Sequence, residues 1–209
     1  MPRTVPACAC AQCGLEAVER TSSVVWFTES SFTLARCPGC EQVLDPYVEF
    51  DLVITSLDLA LHRFPAYRHL LLNNETSNSV WLRLYLMAFV ILLLRGIWVD
   101  APFYSVFLVE FAQFTLVAGL YLVLCSKTQH HYRTWPVLLK AIILGKWPAF
   151  LLIVGWAWEF ALVFHMVIEF YMCTATSAAL SVVPGLNARK AVFMSVLGTL
   201  ASVALQISV

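Results

Sequence analysis

Cys10-Ala-Gln-Cys13 and Cys37-Pro-Gly-Cys40 are two Cys-x-x-Cys pairs separated by 23 residues, near the start of a chain of 209 residues. A Cys-x-x-Cys turn directs two thiolates at one metal ion, and two such turns complete the tetrahedral site of a zinc ribbon. The pattern therefore predicts a structural Zn²⁺ site with four cysteine ligands: Cys10, Cys13, Cys37 and Cys40.

The turns and the redox state of the thiols lead to further expectations. Gly14 and Gly39 are expected to supply the backbone freedom that the turns need. The N-terminal sequence lacks the apolar segment of a cleavable signal peptide, so we expect these cysteines to lie in the reducing cytosol and to bind metal. A disulfide pair is the alternative interpretation, and Cys8 is an alternative ligand to Cys10.

Residues 1–44 are predicted to form the zinc ribbon. Residues 17–28 and 31–36 are rich in β-branched and aromatic side chains, which predicts two antiparallel strands between the cysteine pairs. A domain of about forty residues buries too little apolar surface to fold alone, so we expect the metal to supply much of the folding free energy.

Residues 45–73 are predicted to be an amphipathic surface or docking segment. Residues 52–61 suit a helix that is too short and too charged to span a membrane, so it is expected to lie on the bilayer or to pack under the ribbon. Pro65 is expected to end this helix. A polar linker, residues 74–79, follows, and we expect its glycosylation sequon at Asn74 to be unused.

The rest of the chain has the composition of a membrane protein. Hydrophobic residues make up 60% of the sequence and charged residues 12%, against about 25% charged residues in soluble domains. Residues 80–209 are therefore predicted to form a bundle of four or five membrane-spanning helices, giving a mainly α polytopic protein with a small zinc ribbon. The expected spans are 80–99, 103–125, one or two within 147–183, and 191–209.

Basic residues indicate the orientation of the spans. They precede the first span, recur in a predicted basic loop at residues 127–146, and occur again at Arg189 and Lys190, whereas the turn at Asp100 has none. The positive-inside rule places the N-terminus and both basic loops in the cytosol. This arrangement favours five spans, with four as the alternative.

Several function classes lack support in the sequence. Residues 1–50 contain three arginines against six carboxylates, and a Zn(Cys)₄ centre adds negative charge, which disfavours nucleic-acid binding. The sequence contains no nucleophile elbow, phosphate-binding loop, dinucleotide fingerprint or HExxH motif. We therefore expect a protein that is not an enzyme and does not bind nucleic acid.

Ionisable residues within the apolar segments are candidates for a lipid-binding pocket, because burying charge in a membrane is costly. Such a pocket would recognise a lipid hydroxyl or headgroup, and contacts that only join helices are the alternative. His165 and Glu169 are spaced to share one helix face. The candidates are Glu110, Glu159, His165 and Glu169.

Residues 10–73 resemble the homology domain of the Arv family of endoplasmic-reticulum membrane proteins. The matching motifs are Cys10-x-x-Cys13-Gly14, Leu34-x-x-Cys37-x-x-Cys40, Asp45-x-Tyr47-Val48-Glu49-Phe50-Asp51, Leu57-Asp58-Leu59 and Ala66-Tyr67-Arg68-His69-Leu70-Leu71-x-Asn73. These motifs cover about a third of the chain. The polytopic remainder agrees with the family in kind only.

The resemblance implies a non-enzymatic role in sterol homeostasis and in transport of sterol from the endoplasmic reticulum. It further implies effects on sphingolipid metabolism and on early glycosylphosphatidylinositol-anchor synthesis, with the Golgi as a second location. The implied partners are membrane lipids, namely sterol and an anchor precursor. The alternative is an accessory subunit or scaffold of an endoplasmic-reticulum enzyme complex.

One cluster in the homology domain is a candidate docking site. We expect its polar side chains to hold the N-terminal domain against the membrane bundle or against a partner subunit. The candidate docking residues are Asp51, Asp58, Tyr67, Arg68 and His69.

Overall fold

The computed structural model describes residues 9–15, 24–28, 31–73, 103–125, 131–151 and 161–208, together with residues 83, 86, 87, 89–91 and 93. The chain folds as two compact units, Met1–Ser77 and Asn78–Val209. Met1–Ser77 is the N-terminal unit, and Asn78–Val209 is the C-terminal unit.

A two-stranded antiparallel ribbon lies between the cysteine pairs of the N-terminal unit. Strand β1, Val24–Thr28, pairs with strand β2, Ser31–Leu34. Val24 lies opposite Leu34, and the register shifts between Trp26 and Thr28. The predicted antiparallel pairing is confirmed over these residues, whereas the first part of the predicted strand, residues 17–23, lies outside the described residues.

Three short helical elements follow the ribbon. A 3₁₀ turn, Pro46–Val48, precedes helix α1, Leu52–Ala60. Helix α2, Phe64–Arg68, then continues into a π-helical turn, His69–Asn73. The expectation that Pro65 ends α1 is wrong. Helix α1 ends at Ala60, and Pro65 lies in the first turn of α2. Proline suits that position because the first helical N–H groups have no intrahelical acceptor.

Helix α1 has an unusual distribution of polar and apolar side chains. It buries Thr55 and Asp58, with Asp58 only 9% exposed, while Leu52 is 80% exposed. Further large apolar side chains lie exposed along the same element, namely Val53, Ile54, Leu57 and Leu61. The segment therefore turns polar groups toward its own unit and presents an apolar surface outward, which is the reverse of a helix on a water-soluble domain.

The described part of the C-terminal unit is mainly helical. Its helices are α3, Phe103–Cys125; α4, His131–Gly145; α5, Ala161–Ser181; and α6, Ala188–Ser208, with a 3₁₀ turn at Trp147–Leu151. Helix α3 packs on α6, α6 packs on α5, and α5 packs on α4. A buried cluster joins the 3₁₀ turn and α5 to a helical residue before α3; its members are Ile91, Ala149, Ile168 and Met172.

Among the described residues, one helix is long and apolar enough to cross a bilayer. Residues Tyr104–Leu124 have a mean hydropathy of 1.9. A shorter apolar stretch, Met166–Ser181, lies in α5. The predicted total of four or five spans stays a prediction, because most of residues 80–99 and 152–160 lies outside the described part of the chain.

The predicted basic loop at residues 127–146 is a helix over most of its length. Helix α4 covers His131–Gly145, and both Lys140 and Lys146 are buried. Apolar residues at three- and four-residue intervals, such as Leu138 and Ile142, favour a helix with a packed face. Two of the cations that supported the orientation therefore do not lie on a loop surface.

Candidate metal centre

Four sulfur atoms converge in the N-terminal unit. The Sγ atoms of Cys10 and Cys40 are 3.7 Å apart, those of Cys13 and Cys37 are 3.6 Å apart, and all four lie within 4.8 Å of one another. A tetrahedral site with Zn–S bonds of about 2.3 Å places its sulfurs about 3.8 Å apart. A disulfide needs about 2.05 Å. The four residues therefore fit a metal ion and are free thiols rather than disulfides.

The two cysteine turns have the same backbone pattern. In the first knuckle, residues 10–15, Gly14 N–H donates to Cys10 O and Cys10 N–H to Leu15 O. In the second knuckle, residues 37–42, Glu41 N–H donates to Cys37 O and Cys37 N–H to Gln42 O. Each knuckle thus closes around its first cysteine, which directs both thiols of the pair to one side.

The left-handed residue of each knuckle is the one after the second cysteine. Gly14 has a φ of 77°, as expected, but the equivalent residue of the second knuckle is Glu41, with a φ of 59°. The expectation that Gly39 fills this role is therefore wrong. Gly39 N–H instead lies 3.4 Å from Cys37 Sγ, and an added Cβ would lie 3.0 Å from Leu15 Cδ2. A glycine at position 39 therefore allows the second knuckle to pack closely against Leu15 of the first knuckle.

The thiols differ in their readiness to ionise. Burial raises the pKa of the Cys10 thiol to about 12, whereas the backbone N–H groups of Gly39 and Cys40 lower the pKa of the Cys37 thiol to about 7. The Gln42 N–H lowers the pKa of the Cys40 thiol, but burial and the neighbouring Cys13 and Cys37 thiols outweigh it, so the pKa is raised overall. A bound divalent cation would provide the charge that makes four thiolates stable together, since coordinated thiols lose their protons.

Backbone hydrogen bonds hold the two knuckles together. Ala11 N–H donates to Leu44 O, and Leu44 N–H donates to Ala35 O. Leu44 is fully buried beside Cys10 and Cys37. A small apolar core thus lies directly behind the sulfurs, so a metal ion bound there would also stabilise the folded unit.

A buried carboxylate, Asp45, connects the ribbon with the end of the homology segment. Its Oδ2 accepts a hydrogen bond of 2.7 Å from Asn73 Nδ2 and lies 2.8 Å from His69 Nδ1, and its Oδ1 accepts from Tyr47 N–H. Asn73 in turn exchanges two hydrogen bonds with the backbone of Ala9. The two ends of the domain, 64 residues apart in sequence, are therefore joined beside the metal centre.

We predict that Asp45→Ala destabilises the N-terminal unit by about 3 kcal/mol, because buried donors lose their acceptor. Asp45 is 0% exposed, and its partners include Asn73 and His69. Asp51→Ala is the matched control, since Asp51 is exposed and its side chain makes no capping hydrogen bond to α1. Limited proteolysis under increasing urea measures the difference; equal resistance of the two variants would contradict the role assigned to Asp45.

Residues 9–102 match the sequence model of the Arv1-like family. The match covers 94 of the 209 residues, and over this region the chain is similar to the Arv1-like family. It is 39% identical to Protein ARV 2 of Arabidopsis thaliana over 87 residues, which cover 41% of this chain and 37% of that protein. It is 23% identical to the Protein arv1 homolog of Dictyostelium discoideum over 228 aligned positions, which cover 94% of this chain and 93% of that protein.

A further relative is Protein ARV1 of Saccharomyces cerevisiae, 40% identical over 47 residues, or 22% of this chain and 15% of that protein. The chain thus spans about a third of the Arabidopsis relative and most of the Dictyostelium relative. No solved structure matches the chain. The matched family region contains all four cysteines and the Asp45 contacts.

Four of the docking residues expected from the Arv resemblance make contacts within the N-terminal unit, namely Asp58, Tyr67, Arg68 and His69. Asp58 Oδ2 accepts a hydrogen bond of 2.7 Å from Tyr47 OH, and Asp58 Oδ1 lies 3.1 Å from Arg63 Nη1. Burial, and then the bond to Asp58, raise the pKa of Tyr47, which keeps its hydroxyl protonated as a donor. Tyr67 is fully buried, with its hydroxyl 3.4 Å from Leu59 O.

Arg68 contacts the metal centre through the first knuckle. Its guanidinium donates to Ala11 O at 2.9 Å and also to Gln12 O. An added Cβ at Gly14 would lie 3.2 Å from Arg68 Nε, so glycine leaves room for this arginine. Together with His69, Arg68 joins the homology segment to the ribbon inside one unit. Docking of these residues on the membrane bundle or on a partner stays a prediction.

Sequence reasoning named several of these residues only as parts of a family motif. Asp45, Tyr47 and Asn73 were not predicted to be functional, although they organise the contacts behind the metal centre. The signal available in the sequence was that Asp45, a polar residue, closely follows a predicted metal-binding knuckle. Its partner Asn73 could not be predicted without the fold.

The structure describes the side chains of two of the four predicted lipid-pocket residues, Glu110 and Glu169. Glu110 lies on α3 near Lys146, with 3.3 Å between Oε2 and Nζ. Glu169 is buried in α5. Glu159 and the side chain of His165 lie outside the described residues. Sequence analysis missed Gln113 and Lys146, which lie beside Glu110.

Proposed function

We propose that the protein is a non-enzymatic mediator of sterol homeostasis that promotes transport of sterol out of the endoplasmic-reticulum membrane. The observation that carries the proposal is the family match over the segment that contains the four converging sulfurs. In this proposal, effects on sphingolipid metabolism and early glycosylphosphatidylinositol-anchor synthesis follow from altered sterol distribution. The protein resides in the endoplasmic reticulum, with the Golgi as a second location.

The metal in this proposal is structural Zn²⁺. Four thiol ligands with no other donor suit zinc, which is held in closed tetrahedral sites of this kind. The closed site leaves no coordination position for a substrate, which supports a structural rather than catalytic metal. The N-terminal unit lies on the cytosolic side, where thiols stay reduced.

Two features support a function at the membrane. Helix α3 has exposed apolar side chains along the stretch that is long enough to span, including Phe107, Leu108 and Phe111. Helix α1 presents its own apolar surface, which includes Leu52 and Leu57 and suits contact with lipid at the bilayer interface. A protein with both features can act on lipids without leaving the membrane.

A test is complementation of a yeast strain that lacks its own family member, with sterol delivery to the plasma membrane as the measurement. We expect the full chain to restore delivery. Wild-type expression in the endoplasmic reticulum without any change in delivery would contradict the proposed function.

We predict that Arg68→Ala abolishes this complementation while the protein keeps its zinc. The substitution removes the guanidinium bonds to Ala11 O and Gln12 O but none of the four thiols. Arg36→Ala is the matched control, because exposed Arg36 makes one 3.4 Å contact with Glu41 O of the other knuckle. Full complementation by Arg68→Ala, or equal loss in both variants, would contradict a specific role for Arg68.

The second candidate function is an accessory subunit or scaffold of an endoplasmic-reticulum lipid or glycosylphosphatidylinositol enzyme complex. The exposed apolar surface of α1 favours it, because such surfaces also bind proteins. Stoichiometric co-purification with an enzyme in mild detergent, lost on Leu57→Glu, would support this candidate. Purification of the full chain alone, with sterol delivery intact, would leave the first proposal as the better account.

A further inference from the structure

A charged pair lies among the helices of the C-terminal unit. Lys146 Nζ is 3.3 Å from Glu110 Oε2, and it donates to Gln113 Oε1. The side chains of Lys146 and Glu110 are 11% and 16% exposed, and Gln113 is 6% exposed. Three polar groups thus converge among the helices of this unit.

The position of this cluster makes it costly. Glu110 and Gln113 lie one turn apart in the stretch Tyr104–Leu124 that is long enough to span a bilayer. Glu110 is about 9 Å along the helix from the start of that stretch. Ionisable residues at such positions are expensive and are typical of functional sites, whereas apolar residues of similar volume often replace a buried ion pair without loss of stability.

A cavity of about 160 Å³ adjoins the cluster. The three polar side chains form one part of its wall, and apolar side chains form the rest, namely Ile91, Phe114, Ile142 and Ile143. An apolar cavity of about 150 Å³ accommodates benzene. The space therefore suits one six-membered carbon ring that carries a polar substituent, rather than a whole lipid.

The charges of the cluster select the kind of polar substituent. Lys146 and Glu110 balance each other, so an anionic phosphate would meet the carboxylate as well as the ammonium group. A hydroxyl group can accept from an ammonium and donate to a carboxylate at the same time. An ammonium has three donors, and Glu110 and Gln113 supply two acceptors. An uncharged hydroxyl can accept a further hydrogen bond from the ammonium group.

We propose that this cavity, the Glu110–Lys146 pocket, binds the hydroxyl-bearing ring of a sterol, with the rest of the sterol extending along the apolar helix surfaces. The hydroxyl bonds to both Lys146 Nζ and the Glu110 carboxylate from the cavity side, and Gln113 holds the ammonium group in place. The identity of the ligand as sterol rests on the proposed function, whereas recognition of an uncharged hydroxyl rests on the pocket itself.

The test uses the purified full chain in lipid nanodiscs and a photoreactive sterol that keeps its hydroxyl group. We expect crosslinking that maps to residues 103–146 and is displaced by excess unlabelled sterol. A 3-keto sterol, diacylglycerol and phosphatidic acid should displace the probe at least tenfold less well. Displacement by phosphatidic acid or by diacylglycerol in preference to sterol would overturn the assignment.

The informative variant is the double substitution Glu110→Gln with Lys146→Met, which removes both charges and leaves neither buried alone. We expect at least a tenfold loss of crosslinking, with an unchanged thermal midpoint. Lys190→Met is the matched control, because Lys190 is another lysine of this unit, bonded to Leu124 O, outside the pocket. Undiminished crosslinking of the double variant would overturn the pocket.

Complementation separates this pocket from the proposed function. If the wild type restores sterol delivery but the double variant crosslinks sterol as well as the wild type does, the pocket is wrong and the proposed function stands. If the wild type crosslinks sterol in the pocket but never alters sterol delivery, the pocket stands and the proposed function is wrong.

Discussion

Cys37→Ser is expected to remove the bound metal and to unfold the N-terminal unit. The Cys37 thiol is buried in the core with Cys10 and Leu44, so its loss removes a ligand and a packing contact together. Structural zinc contributes about 10–16 kcal/mol in small zinc domains, whereas whole domains are stable by about 5–15 kcal/mol. A unit that depends on the metal cannot compensate for such a loss.

Metal content by plasma mass spectrometry and protease resistance of residues 9–73 measure the effect. Cys173→Ser is the matched control, since Cys173 lies in α5, where its thiol contacts Ser195 rather than the other cysteines. We expect the control to keep one zinc per chain and the Cys37 variant to keep none. Equal zinc content in both variants would show that the four sulfurs do not form the site.

Gly145→Ala is expected to destabilise the C-terminal unit strongly. An added Cβ at Gly145 would lie 2.5 Å from Thr176 Cα and from Thr176 Oγ1. Because a backbone atom is involved, helices α4 and α5 must move apart, whereas a flexible side chain could simply rotate away. Overpacking of this kind costs about 1–3 kcal/mol or more, and apolar contacts around the helix pair would loosen with it.

Gly119→Ala provides the matched control for this prediction. Gly119 lies in α3, and an added Cβ would meet no atom within 4 Å. Alanine favours helix by up to about 1 kcal/mol over glycine, so this variant should be neutral or slightly stabilised. Thermal unfolding in detergent measures the midpoint temperature of both variants. Equal midpoints for the Gly145 and Gly119 variants would contradict the close helix contact.

The metal centre could be predicted from sequence because its signal is local. Each Cys-x-x-Cys turn is specified by four consecutive residues, and the same spacing appears twice. The structure brings all four sulfurs together as expected. The details of the turns were less predictable, since Glu41 adopts the left-handed conformation that was expected of a glycine. Local backbone strain of this kind depends on the hydrogen bonds around it.

Contacts between distant residues could not be predicted. Asp45 meets Asn73, which is 28 residues away, and Lys146 donates to Gln113, which is 33 residues away. The spacing of Lys146 among other cations suggested a basic loop. The apolar residues before it instead form helix α4, and Lys146 is buried just after the end of that helix. Hydropathy identified a stretch of α3 that is long and apolar enough to cross a bilayer, but it does not determine how many spans the chain contains.

The central claim is that one zinc ion binds the four converging cysteines. X-ray absorption at the zinc edge of the purified full chain tests this claim most directly. We predict one zinc per chain with four sulfur neighbours at about 2.3 Å. Absence of zinc, or a first shell that contains oxygen or nitrogen in place of any of the four sulfurs, would contradict it.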